Sequence, residues 1–240
     1  QPGGKEIRIW NTGQTWKLFD LGAESVERYG FPYLMFHRAD LHNVLIDAVR
    51  AEKPDAIHLN AMAVGCEQDG SRVRLLLKDR DAVEGDALIG ADGVHSAIRQ
   101  SLFGPDDRSF SGLIAWRGVI DKDLLPEEMS HPVGVNWVGP GGHVVHYFVR
   151  HGALLNFVGI LEKDDWGVES WLAEGTVEEC LADFDGWHEA IRATIRNIQT
   201  PYKYALMRRE PMERWTQGRI SLLGDACHPM VPMLAQGAVM

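Results

Sequence analysis

Two short apolar runs, each followed by a loop with glycine and aspartate, constrain the fold of this chain most. One is "DALIGADG" (residues 86–93) and the other is "ISLLGDA" (residues 220–226). A short apolar run that stops at turn residues indicates a buried strand. In open α/β sheets, ligands bind beyond the carboxyl ends of such strands. The two runs therefore predict a Rossmann-like, nucleotide-binding α/β fold.

The stretch between the two loops has a different pattern. Residues 109–207 consist mainly of alternating apolar runs typical of strands, with helices expected at 176–182 and 187–195. The predicted strands are "GLIAWRGVI", "VGVNWVG", "HVVHYFVR", "LLNFVGI" and "YKYALMR". We therefore predict a mixed α/β (α+β) chain: an incomplete α/β domain in two pieces, 1–108 and 208–240, with a β-rich domain inserted between them.

Local signals predict the smaller elements of the first piece. Turn residues Asn11 to Gly13 favour a hairpin between "RIW" and "WKLFD". Apolar residues three and four apart predict an amphipathic helix at 41–52, with Asp40 as its N-cap. Ser96 is placed to cap a short helix after the first loop. Three strands are expected between these helices: "AIHLN" (56–60), "AVGCE" (63–67) and "RVRLLLK" (72–78).

Charge and cysteine content exclude several classes of protein. The net charge of −10 argues against a nucleic-acid or anionic-membrane surface. Cys66, Cys180 and Cys227 are far apart, which disfavours a disulfide framework or a structural zinc site and fits the cytoplasm. No apolar stretch reaches the roughly 18 residues of a membrane span.

The segment "GDACHPM" after the second strand allows three interpretations. Asp225, Cys227 and His228 are close in sequence, but no second group has metal-ligand spacing, so no metal is predicted. Adjacent Cys and His residues rarely face each other, which disfavours a nucleophile with its base. A loop that holds a polar cofactor explains more. Asp225 can accept hydrogen bonds from ligand hydroxyls, and a helix starting near Gly237 would aim N–H groups at a ligand.

Three motifs in order make the chain resemble the FAD-dependent aromatic hydroxylases, the family that includes salicylate hydroxylase. "GDACHPMVPMLAQGA" resembles their second flavin-binding motif, "DALIGADGVHSAIR" their Asp-Gly motif, and "HRADLH" their arginine segment. "IAWRG" and "GPGGHVVHYFVR" resemble their substrate-domain strands. The resemblance covers nearly the whole chain. It implies an FAD-binding domain in 1–108 and 208–240 and a substrate domain in 109–207.

The resemblance implies cofactor contacts for the second loop. Asp225, after Gly224, would hold the ribitol hydroxyls of FAD, and Pro232 would pack close to the isoalloxazine. The amides of Gly237 and Ala238 would face the pyrimidine edge of the ring, where reduced flavin carries negative charge.

Further contacts are implied for two earlier segments. Arg38 would reach the ribose and pyrophosphate of FAD. Asp92 and Gly93 would support the pyrophosphate and the passing nicotinamide cofactor, NADH or NADPH. Arg99 would steady that loop rather than contact a ligand.

The chain departs from the family at its start. Family members begin with a strand and a G-x-G-x-x-G loop that binds the ADP half of FAD. The early glycines here, Gly3 and Gly4, have no strand before them and no helix after them. We therefore expect a fragment that lacks this strand and loop and the C-terminal helices, and whether it binds FAD or is active by itself stays open.

Candidate catalytic residues lie on the predicted strand "HVVHYFVR". His143, Val145 and Tyr147 share one face because side chains alternate along a strand. His143 is suited to act as base on a phenolic hydroxyl, and Tyr147 to hold a substrate carboxylate or hydroxyl; several family members place a His and a Tyr four apart here. The alternative is a half-buried sheet face with a packing role. His146 faces the other side, and Gln236 is expected to touch the substrate.

The leading hypothesis is an FAD-dependent monooxygenase that hydroxylates a small aromatic acid of the salicylate, hydroxybenzoate or hydroxynicotinate class, using NAD(P)H and dioxygen. The alternatives are a flavoprotein of another reaction class, such as an epoxidase, halogenase or dehydrogenase, or a non-catalytic remnant. We expect a cytoplasmic protein without nucleic-acid or membrane partners. A homodimer is compatible with the sequence, and the substrate, the choice of nicotinamide cofactor and the oligomeric state stay open.

Overall fold

The chain is organised into two compact units. A computed structural model describes residues 1–105, 107–164, 173–235 and 237. The first unit comprises 1–48 and 112–206, and the second comprises 49–111 and 207–240. The assignment of domain roles stays a prediction; the structure adds that residues 1–48 group with the β-rich segment.

Strands dominate the described part of the chain. The strands are β1 (Gly4–Ile9), β2 (Thr15–Asp20), β3 (Ala63–Gln68), β4 (Val73–Leu77), β5 (Val83–Gly85), β6 (Leu88–Gly90), β7 (Arg108–Asp121), β8 (Gly134–Gly139), β9 (Gly142–Val149), β10 (Leu154–Glu162), β11 (Tyr202–Arg209), β12 (Thr216–Gln217) and β13 (Ile220–Leu222). The α-helices are α1 (Ala23–Tyr29), α2 (Arg38–Glu52), α3 (Ala97–Phe103), α4 (Val177–Asp183) and α5 (Glu189–Arg196). The mixed α/β class predicted from the sequence is confirmed.

A seven-stranded sheet forms the first unit, in the order β11-β7-β10-β9-β8-β1-β2. β1 and β2 form the predicted hairpin, and β1 also pairs in parallel with β8. This pairing explains why the first residues of the chain group with the β-rich segment. The long strands β7, β9 and β10 pair antiparallel in continuous register, so the side chains on each face line up in rows.

One face of this sheet carries the core of the first unit. Trp116, Trp137 and Phe157 point to this face and are almost fully buried. Phe184 and Trp187, from the segment between α4 and α5, complete it: the Phe184 ring meets Phe157 edge-on at 6.0 Å and Trp187 at 5.1 Å between centroids. Such edge-to-face pairs add to the free energy gained by burying the rings.

A buried charge network lies within the same unit. The Asp183 carboxylate accepts a hydrogen bond from Trp116 Nε1 at 2.8 Å and lies 2.6 Å from Lys163 Nζ and 3.6 Å from Lys203 Nζ. Burial raises the pKa of Asp183, but the hydrogen bonds from Lys163 and Trp116 and the two lysine charges outweigh it and leave the pKa lowered. The carboxylate is therefore ionised and ties α4 to the sheet.

The second unit contains two small sheets. β6 pairs in parallel with β13, which pairs antiparallel with β12, and β3, β4 and β5 form an antiparallel meander. Val73, Ile98, Ile220 and Leu222 form its buried core. Ser96 caps α3 as predicted, since its Oγ accepts a hydrogen bond from the Arg99 amide at 2.9 Å.

Two local predictions are wrong. Asp40 is not the N-cap of the second helix, because α2 begins at Arg38 and the Asp40 carboxylate is held in two hydrogen bonds by Arg150, at 2.9 and 2.8 Å. The run 56–60 forms no strand, although its sequence alternates. Within the described ranges, no helix is both long and apolar enough to span a membrane.

We predict that Asp183→Asn lowers the free energy of unfolding by about 3 kcal/mol, because two lysines lose their shared carboxylate in a buried site. Urea unfolding near neutral pH measures the change. Since the folded pKa is lowered, this contribution is present above the unfolded pKa of about 3.9 and is lost as the pH falls through the folded value.

Asp185→Asn is the matched control, because Asp185 is exposed and forms a surface ion pair with Arg192. It is expected to change the unfolding free energy by less than about 0.5 kcal/mol. Equal effects of the two substitutions would contradict a stabilising role for the Asp183 network.

Candidate functional site

Two loops leave the same end of neighbouring parallel strands in the second unit. Gly90 of β6 is the register partner of Leu222 of β13, and the Leu223 amide donates to the Gly90 carbonyl at 2.9 Å. Because the strands are parallel, the loops that begin at Ala91 and Leu223 emerge side by side. The structure thus places Asp92 and Asp225 at one edge of the sheet, where α/β folds bind ligands.

The first loop is shaped by its aspartate. Asp92 Oδ1 accepts a hydrogen bond from Ser96 Oγ at 2.5 Å, and Oδ2 accepts one from the Ile98 amide at 3.2 Å. The carboxylate is therefore occupied in fixing the loop against α3. Gly93 has a φ of 76°, and a Cβ built on it would meet no atom within 4 Å. This loop can offer open backbone, rather than a free carboxylate, to a ligand.

Arg99 joins the two loops. Its side chain is buried, with Nη1 donating to the Ala226 carbonyl and Nη2 to the Val94 carbonyl, both at 2.8 Å. Hydrogen bonds from a charged donor to buried carbonyls are among the stronger ones in proteins. These two contacts agree with the expected role of Arg99 in steadying the loop.

The second loop presents a free carboxylate. Asp225 lies in a short 3₁₀ turn, is exposed, and makes no hydrogen bond or ion pair with the described residues. Gly224 before it has a φ of 61°, a left-handed conformation, and open space where a Cβ would stand. Cys227 is buried and its Sγ donates to the Gly224 carbonyl at 3.2 Å. The polar group that this loop offers to a ligand is therefore Asp225.

The other interpretations of this loop find no support. Among the described residues, no three His, Cys, Asp or Glu side chains are close enough to hold a metal ion. Burial raises the pKa of Cys227, which keeps it a thiol rather than a nucleophilic thiolate. The His228 ring lies 5.1 Å from that of Trp215, which suits a packing role.

The remaining predicted cofactor residues lie outside these two loops. Pro232 begins a 3₁₀ turn, and a Cβ on Gly237 would come within 3.5 Å of Met230. Gln236 and Ala238 lie outside the described residues, as does most of the helix expected from Gly237. Arg38, in the first unit, is exposed at the start of α2 and has no hydrogen bond or ion pair with described residues.

The second-unit residues fit FAD. A free carboxylate is suited to accept hydrogen bonds from polyol hydroxyls, and Asp225 supplies one. The open backbone at Gly93 and Gly224 leaves room for a ligand where any larger side chain would intrude. The features lie on two loops fixed to each other by Arg99, so they form one preorganised edge.

The catalytic candidates lie in the first unit, on the sheet face opposite the core. His143 and Tyr147 are half-buried on β9, and Val145 lies between them. Burial lowers the pKa of His143, so its imidazole is neutral at neutral pH. His146 faces the core, where its Nε2 accepts a hydrogen bond from Trp137 Nε1 at 3.1 Å and burial lowers its pKa to about 3. This contact supports a structural role for His146.

Sequence reasoning did not single out Arg117 as a site residue, although it lies on the same face. Burial raises the pKa of Tyr147, with a further rise from Tyr33 and an opposing effect from the positive charge of Arg117. Arg117, on β7, also hydrogen-bonds the buried Tyr204 hydroxyl. The register across β7, β10 and β9 places Arg117 on the face of Tyr147, and the sequence carries no signal for that register.

Comparison with known proteins agrees with the structure. Residues 19–238 match the family model described as FAD binding domain. The chain is 37% identical to 3-amino-4-hydroxybenzoate 2-monooxygenase PtnB3 of Streptomyces platensis, over 97% of this chain and 58% of that protein. It is 35% identical to 6-hydroxynicotinate 3-monooxygenase of Pseudomonas fluorescens, over 97% of this chain and 60% of that protein.

A solved structure, a salicylate hydroxylase substrate complex, superposes with a TM-score of 0.76 at 27% identity, covering 97% of this chain and 58% of that one. The chain belongs to the FAD binding domain family. It spans about 60% of the length of the curated relatives named above.

Proposed function

We propose that the protein is an FAD-dependent monooxygenase that hydroxylates a small aromatic acid with NADH or NADPH and dioxygen. The observation that carries the proposal is the pair of joined loops with the free Asp225, in a chain similar over most of its length to monooxygenases named for hydroxylated aromatic acids. FAD, when bound, supplies the redox and oxygen chemistry.

We assign the cofactor residues roles that their environments allow. Asp225 and Gly224 hold the sugar-alcohol chain of the cofactor, Gly93 offers its backbone to the pyrophosphate, and Asp92 fixes the loop that carries Gly93. Pro232, which begins the 3₁₀ turn on the following segment, is proposed to pack against the ring system. Arg38, Gly237 and Ala238 complete the proposed set, and Gln236 is proposed to touch the substrate.

On the first unit, His143 removes the proton of a phenolic hydroxyl and Tyr147 binds a polar group of the substrate. A neutral imidazole is the form that accepts a proton, and burial keeps His143 in that form. We also expect a cytoplasmic protein, consistent with its three free thiols, and a homodimer stays a prediction.

The proposal is tested by NADH and NADPH oxidation in the intact gene product that contains this chain, with a panel of hydroxybenzoates and hydroxynicotinates. Stimulation of the oxidation rate by at least one aromatic acid is expected. A yellow protein whose rate of NADH and NADPH oxidation is unchanged by every acid would support the FAD cofactor and contradict the hydroxylase assignment. A colourless protein would contradict both the cofactor and the hydroxylase assignment.

We predict that Asp225→Ala raises the dissociation constant for FAD on the order of tenfold or more, because a carboxylate that accepts hydrogen bonds from ligand hydroxyls is lost. Quenching of flavin fluorescence measures the constant. Glu84→Ala removes another exposed carboxylate of the same unit and is expected to leave it unchanged. Full FAD affinity in Asp225→Ala would remove Asp225 from the site.

We predict that kcat/KM falls on the acid side as the pH drops through the pKa of His143, which burial places below the ordinary value of about 6.5. His143→Gln is expected to lose this acid limb and to reduce kcat/KM on the order of 100-fold, with FAD content unchanged. His131→Gln, at an exposed histidine of the same unit, is the control. An acid limb that persists in His143→Gln would exclude His143 as the base.

A further inference from the structure

On the sheet face that carries His143 and Tyr147, side chains of neighbouring strands line up in rows. Arg117, Val158 and Val145 are register partners across β7, β10 and β9, so their side chains leave the same face in one line. Tyr147 lies two residues from Val145 in one direction along β9, and His143 lies two residues in the other. A cation, an apolar floor and a titratable base thus share one surface.

The Arg117 guanidinium is hydrogen-bonded to one phenol and lies near another. It hydrogen-bonds the hydroxyl of Tyr204, which is buried at 4% exposure, and it lies close enough to Tyr147 to oppose the rise in the pKa of that phenol. Arg117 itself is half-buried. A guanidinium held by a buried hydroxyl is preorganised for planar, two-point binding of a carboxylate.

Charge on this face favours an anion. Among the described residues that share the face on β1, β7, β8, β9 and β10, carboxylates occur only at strand ends, at Asp121 and Glu162. Lys5 is the other cation of the face, half-buried next to Gly134, and burial lowers its pKa. The centre of the face therefore offers positive charge and no competing carboxylate from these strands.

The spacing matches a substituted ring. Val145 and Val158 lie side by side and give an aromatic ring an apolar floor. Arg117 and His143 lie two strands and two residues apart, which is roughly 12 Å between their Cα atoms at about 4.8 Å per strand and about 3.3 Å per residue. The two side chains shorten this gap, and a benzene or pyridine ring with its carboxylate and hydroxyl at opposite positions reaches further across the rest than a ring with neighbouring substituents.

We propose that Arg117 is the carboxylate-binding residue of the substrate site, and that the site selects an aromatic acid whose hydroxyl lies para to the carboxylate, next to His143. The inference rests on the proposed function for its aromatic substrate. It adds the residue that recognises the carboxylate and the substitution pattern that the sheet face accepts. Tyr204 is a positioning residue in this account, since it acts through Arg117.

Binding is measured by calorimetry on the FAD-loaded intact gene product without NADH, so that the readout does not depend on turnover. The probes are 4-hydroxybenzoate, 6-hydroxynicotinate, their two amides, 3-hydroxybenzoate and salicylate. The variants are Arg117→Met, Arg117→Lys and Lys5→Met, each checked for wild-type FAD content and thermal stability. Lys5→Met is the matched control, because it removes the other cation of the same face.

In the wild type, a para-hydroxy acid is expected to bind more tightly than 3-hydroxybenzoate and salicylate. Arg117→Met is expected to raise the dissociation constant of that acid on the order of 10- to 100-fold and that of its amide by less than about threefold. Arg117→Lys is expected to lie between the wild type and Arg117→Met, because a lysine keeps the charge but not the two-point geometry. Lys5→Met is expected to stay near the wild type.

Three results would overturn the proposal: an equal loss for acid and amide in Arg117→Met, a loss that follows Lys5 instead, or tightest binding of salicylate. If acid binding depends on Arg117 but no hydroxylated product forms, the result supports this inference and contradicts the proposed function. Hydroxylated product together with unchanged acid binding in the Arg117 variants supports the proposed function and contradicts this inference. A wild type that binds none of the acids contradicts both.

Discussion

The parallel pairing of β6 with β13, locked by Arg99, is the interaction on which the candidate cofactor site depends. The strand pairing brings together two loops that are distant in sequence. Arg99, in α3 after the first loop, and Ala226, in the second loop, are 127 positions apart and are joined by a hydrogen bond. The turn that carries Asp225 has its own hydrogen bonds to the Gly224 carbonyl, and the bond from Arg99 to the Ala226 carbonyl fixes this turn against the first loop. Because the donor is buried and charged, the contact is strong enough to hold both loops in one shape. Binding of a polar ligand then requires little reordering of the backbone.

The sheet of the first unit presents polar groups on a rigid surface. Its sheet buries Trp116 and Trp137 on one face and leaves His143 and Tyr147 half-buried on the other. The Asp183 network ties the helical layer to the buried face. Rigid strands fix the spacing between a base and an anion-binding group better than loops do. Under the proposed function, this fixed spacing is what would let the surface discriminate among isomers of one aromatic acid.

Local patterns in the sequence predict most strands, the hairpin and the Ser96 cap, because these depend on neighbouring residues. Contacts between distant residues account for what the sequence does not predict. Asp40 looks like a cap, but Arg150, which lies 110 positions away, holds its carboxylate. Residues 56–60 alternate like a strand but find no partner strand among the described residues. The role proposed for Arg117 rests on the register of three strands, which the sequence does not reveal.

The measurement that tests the central claim most directly follows the oxygen atom. The intact gene product is supplied with NADH, a para-hydroxy aromatic acid and ¹⁸O-labelled dioxygen. The mass of the reaction product is then measured by mass spectrometry. A monooxygenase of the proposed kind puts one labelled oxygen atom into the ring and consumes one NADH for each product molecule. NADH oxidation that yields hydrogen peroxide and leaves every aromatic acid unlabelled would contradict the account.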